Sequence, residues 1–124
     1  MIKKIEIAKE QIGKNWDIFK KVHQTLLSVD KNVHFRIFPI YAKYFLDDEV
    51  FAVVFFKGSL VTDNQVDLGL KFSIIPALKI LRNAEYMKDP CVNYSVLVDG
   101  EKFDRIEIKK IVMLALKRKK TVYF

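Results

Sequence analysis

One cysteine, two histidines, four glycines and three prolines are all that this chain contains of those residues, and each scarcity removes a class of answer. Cys91 alone cannot form an internal disulfide. Lys3 and Lys4 resemble the start of an export signal, but Glu6, Lys9, Glu10 and Gln11 interrupt any apolar core behind them, so a reducing cytoplasm is the expected compartment. His23, His34 and Cys91 offer neither a CxxC nor an HxxxH spacing, and no metal or cofactor is expected. Glycines 13, 58, 69 and 100 are too scattered for a phosphate loop or a dinucleotide fingerprint. The longest unbroken apolar run, Val50 to Phe56, has seven residues, whereas a bilayer span needs roughly 20. A membrane is therefore not an expected partner.

What the chain does have is aromatic residues and positive charge. Ten Phe, five Tyr and one Trp in 124 residues are enough for a core without disulfides, and residues 1–124 read as a single domain. The run at 50–56, bounded by Glu49 and Lys57, is too β-branched and aromatic for a helix and is expected to be a central strand buried on both faces. Strict alternation would send Phe51, Val53 and Phe55 one way and Ala52, Val54 and Phe56 the other.

Elements expected around this strand follow from spacing. Residues 1–14 fit either a short helix on Ile5, Ala8 and Ile12 or a strand on Ile5 and Ile7, with the helix, ended by Gly13, favoured; Asn15 is then the N-cap of a second helix to about Val29 carrying Phe19, Val22 and Leu26 on one face. Strands are expected at 33–38, 41–46, 66–71 and 92–98, with Asp47-Asp48 as the tight turn into the central strand. In the Val66–Lys71 strand, Asp67, Gly69 and Lys71 alternate outward, unless Gly69 admits another part of the chain. Pro76 to Asn83 reads as a short helix. Asp104 and Glu107 open a final helix carrying Ile108, Ile111, Val112, Ala115 and Leu116 on one face. The expected class is α+β, a five-stranded, mainly antiparallel sheet packed with N-terminal and C-terminal helices.

Ile5-Glu6, Ile12-Gly13-Lys14, the helix with Phe19 and Leu27, Val33 to Ile37, Tyr41-Ala42-Lys43-Tyr44-Phe45, Val50 to Phe56, Val66-Asp67-Leu68-Gly69-Leu70 and the helix at 104–116 occur in an order that resembles the family called domain of unknown function 5655. The resemblance covers nearly the whole chain. It implies a small α+β domain of the kind found alone or beside endonuclease-like regions, and so an expected role near nucleic acid.

The formal net charge of +7 is uneven: +3 over residues 1–34, −1 over 35–100 and +5 over 101–124. A basic balance favours anionic partners. DNA or RNA is the expected partner of a non-catalytic binding domain, with candidate contacts Arg36 and Lys43 on the strands and Lys109, Lys110, Lys117, Arg118, Lys119 and Lys120 at the C-terminal helix. Phe38, Tyr41 and Tyr44 are the rings on which bases would stack if they lie on an open face; equally they can be core. A small-ligand pocket lined by Tyr41, Tyr44, Phe56 and Tyr94, with an uncharacterised activity, is the second reading, and a homodimeric interaction module the third. No nucleophile, base and carboxylate fall together, so no catalytic residue is assigned. Asp47, Asp48 and Glu49 can serve either a cation or a turn.

Overall fold

The computed structural model describes residues 8–116. A helical segment at 8–12 ends at Gly13, which takes φ +63°, and passes through a 3-10 turn, Gly13–Asn15, into helix α1, Trp16–Leu27. Strands follow as β1 (His34–Ile37), β2 (Tyr41–Leu46), β3 (Glu49–Phe55), β4 (Gln65–Leu70), β5 (Arg82–Asn83) and β6 (Tyr94–Asp99), and helix α2 spans Arg105–Leu116. The six strands form one sheet in the order β1-β2-β3-β4-β6-β5, antiparallel at every step. The class is α+β with one strand more than expected.

Period-two alternation explains the layers. Ala42, Tyr44, Val54, Phe56, Val66, Leu68, Leu70, Val96 and Val98 face one side, where Phe19, Val22 and Leu26 of α1 and Ile108, Ile111 and Val112 of α2 complete the main core. Val53 and Phe55 face the other side, in a smaller cluster with Ala84, Met87 and Val92. Asp47 and Asp48 take φ 53° and 64° in the two-residue turn between paired Leu46 and Glu49, the left-handed conformation that such hairpins require.

Four expectations are corrected. Tyr44 pairs with Ala52 but Phe45 pairs with Val50, so Phe51 is an extra residue in a bulge, and it joins Ala52 and Val54 in the main core rather than Val53 and Phe55. Asn15 is buried but makes no cap bond; its Nδ2 donates to the Phe56 carbonyl at 2.8 Å and its Oδ1 accepts from the Gln65 amide at 3.0 Å. The helix expected at 76–83 is irregular chain leading into β5, because a segment this short must be held by packing and its Leu78 and Ile80 stay exposed. Asp67 is buried, not solvated.

Candidate functional site

On the sheet face opposite the helices, antiparallel register places side chains in rows. One row runs Arg36, Lys43, Val53, Gly69, Ser95, Arg82 from β1 to β5, and the next runs Tyr41, Phe55, Asp67, Leu97. A strap at 84–93 crosses this face. It contains a 3-10 turn, Glu85–Met87, and a left-handed Lys88. A Cβ at Gly69 would lie 2.9 Å from Met87 Sδ and 3.1 Å from Val92 Cγ1, so glycine there lets the strap lie close against β4.

Under one end of the strap sits a polar cluster that the periodicity did not reveal. Asp67 is fully buried. Its Oδ2 accepts from the Tyr86 hydroxyl at 2.6 Å and from Arg82 Nη2 at 3.1 Å, and Tyr86 shares a further hydrogen bond of 2.6 Å with Ser95. Asp67 Oδ1 has no hydrogen-bond partner among the described residues. Burial pushes the Asp67 carboxyl above its ordinary range, and the Tyr86 hydroxyl and the Arg82 charge only partly oppose this. The Tyr86 hydroxyl is raised in turn, first by burial and then by its bond to Asp67. These bonds from Tyr86 and Arg82 to Asp67 and Ser95 fasten the strap to β4 and β6, and the Arg82 guanidinium lies over the Tyr86 ring at 5.4 Å.

The opposite end of the same face is open. Phe38 and Tyr41 are half-buried, and a line of tilted rings runs from Phe38 to Tyr41 (4.9 Å between centroids, 34° between planes) to buried Phe55 (5.1 Å, 49°). Phe45, also half-buried, points to this side, as does exposed Arg36. Lys43 Nζ lies 5.8 Å over the Tyr41 ring and 3.5 Å from Asp89 of the strap, so its charge is partly neutralised. Arg36 has no ion pair among the described residues. Cys91, on the strap, has its thiol raised by burial and by Asp89, the reverse of an activated nucleophile.

Other residues singled out from the sequence fall elsewhere. Lys109 and Lys110 lie on α2, across the sheet from Arg36 and Lys43, so these two groups of cations do not share a surface. Lys117, Arg118, Lys119 and Lys120 lie outside the described residues. Tyr44 and Phe56 are buried in the main core, Tyr41 is on the opposite face, and Tyr94 packs at the margin of the main core; the four line no common cavity. A hollow of about 500 Å³ takes in Tyr94 alone of them, beside Ile75, Asn83, Asp89 and Asn93. His23 is buried with Nδ1 2.8 Å from the Tyr44 hydroxyl, between the Phe19 and Phe35 rings, and burial lowers its pKa to about 4. Among the described residues no group of three or more His, Cys, Asp and Glu side chains is placed to hold a metal ion. No helix of the described residues is long and apolar enough to cross a membrane.

The Asp67 cluster carried one legible sign, an acidic residue between Val66 and Leu68 in a strand rich in apolar side chains. Its partners Arg82 and Tyr86 carried none, because only the pairing of β5 with β6 brings them over β4. No family model, no curated protein and no solved structure matches the chain.

Proposed function

We propose that this domain binds single-stranded nucleic acid on the open part of its second sheet face, as a non-catalytic accessory module. One observation carries the proposal: half-buried Phe38 and Tyr41 stand in a line of tilted rings backed by buried Phe55, and Arg36 and Lys43 stand in cross-strand register in the adjoining row. Rings take unpaired bases, and the neighbouring cations take phosphates. A duplex keeps its base faces stacked inside the helix, so half-exposed rings on a sheet face favour a single strand.

The test is a fluorescence-anisotropy titration with short single-stranded DNA, single-stranded RNA and the matching duplex. Single strands are expected to bind more tightly than the duplex. Tyr41→Ala should weaken single-strand binding by about 1–3 kcal/mol, or roughly 5- to 150-fold. Equal affinity for duplex and single strand, or an unchanged affinity in a folded Tyr41→Ala protein, would refute the proposal.

A further inference from the structure

Helix α2 is apolar on two sides. Ile108, Ile111, Val112, Ala115 and Leu116 face the core. The outer side carries Ile106, Lys109, Lys110, Met113 and Leu114, which together line a shallow hollow of about 430 Å³. Steps of three and four residues put these five side chains in one stripe, and Ile106 is 69% exposed, Met113 37% and Leu114 37%. Helix α1 is different, since Lys20, Lys21 and Gln24 make its outward face polar. Large aliphatic side chains held in water along one helical stripe mark an interface.

Charge narrows the occupant. Helix α2 carries Arg105, Lys109 and Lys110 against the one acid Glu107, and neither Lys109 nor Lys110 has an ion pair among the described residues. A second copy of this helix, related by a two-fold axis, would bring those lysines against their own counterparts. Residues 1–7 carry Lys3 and Lys4 against Glu6 and supply no negative complement. Phosphates suit the lysines but leave Ile106, Met113 and Leu114 in water. We propose that this stripe docks an acidic amphipathic helix of a partner protein, whose apolar side enters the hollow while its carboxylates meet Lys109 and Lys110. The interaction is independent of the sheet face, which lies on the other side of the molecule.

The probe is a synthetic peptide with leucines at three- and four-residue spacing and glutamates beside them, compared with a scrambled peptide of the same composition. Binding to the full chain is read by anisotropy, alongside sedimentation of the protein alone and with vesicles of anionic phosphatidylglycerol. The ordered peptide is expected to bind and the scrambled one to bind at least about tenfold more weakly. Ile106→Asp and Lys110→Glu, both at exposed positions, should each reduce affinity about tenfold or more with unchanged melting temperature, and Met113→Gln provides a milder second variant. Equal binding of both peptides, or peptide affinity indifferent to all three substitutions, would overturn the proposal. So would vesicle binding without peptide binding, which would assign the stripe to lipid, or a dimer dissolved by Ile106→Asp, which would assign it to self-association.

Discussion

His23 sets the clearest residue-scale consequence. Its imidazole is neutral in the fold because burial among Phe19, Phe35 and Tyr44 disfavours the charged form, and its pKa falls from 6.5 to about 4. As pH drops, the unfolded chain therefore takes up this proton first. The contribution is whole above pH 6.5 and is lost progressively down to pH 4, a loss of up to about 3 kcal/mol. Asp67 acts with the opposite sign, since its raised carboxyl pKa costs stability as pH rises past 3.8. Across pH 4 to 7, lowering the pH should cost the native protein more of its urea midpoint than it costs His23→Gln, whose remaining slope includes the opposing Asp67 contribution. A native profile parallel to the variant's would show that His23 is not held neutral. Gly69 makes a second case: Gly69→Ala meets Met87 and Val92, and overpacking of this kind costs about 1–3 kcal/mol, read as a lowered melting temperature.

At the scale of elements, ties between non-neighbouring segments decide how the face is built. Asn15 joins the start of α1 to the residue after β3 and to the first residue of β4, so Asn15→Ala leaves a buried carbonyl and an amide without their partners. The expected loss is roughly 2–4 kcal/mol in a denaturation midpoint series, well beyond that of a simple cap. Asp89→Asn should release Lys43 from the strap and raise single-strand affinity, with a log-log salt slope steeper by about 0.7 for the one additional phosphate contact; no change in slope would mean that Lys43 does not reach phosphate. Local pattern made the β2-β3 hairpin and α2 legible, because Asp47-Asp48 and the spacing of Ile108, Ile111, Val112 and Ala115 specify them without distant partners. The bulge at Phe51, the role of Asn15 and the partners that Asp67 finds in Arg82 and Tyr86 were not legible, because each depends on which strand lies alongside, and period two alone says nothing of that. The two-residue β5 lies below the length at which alternation can be detected.

For the whole molecule, the arrangement is a sheet with two unlike sides: helices and most of the apolar core on one, a strap, a buried carboxylate and an open aromatic patch on the other. The sequence offers cations on the strands and at the C-terminal helix as candidate contacts. The layers set the two groups apart, with Arg36 and Lys43 on the sheet and Lys109 and Lys110 on the far helix. On the two proposals made above, one side would meet nucleic acid and the other a protein partner. The most direct measurement is a map of amide and aromatic NMR shifts during titration with a short single-stranded oligonucleotide. The account predicts shifts concentrated at Arg36, Phe38, Tyr41, Lys43 and Phe45, with α2 silent. Shifts confined to Lys109, Lys110 and their helix, with the rings of the sheet unmoved, would contradict it.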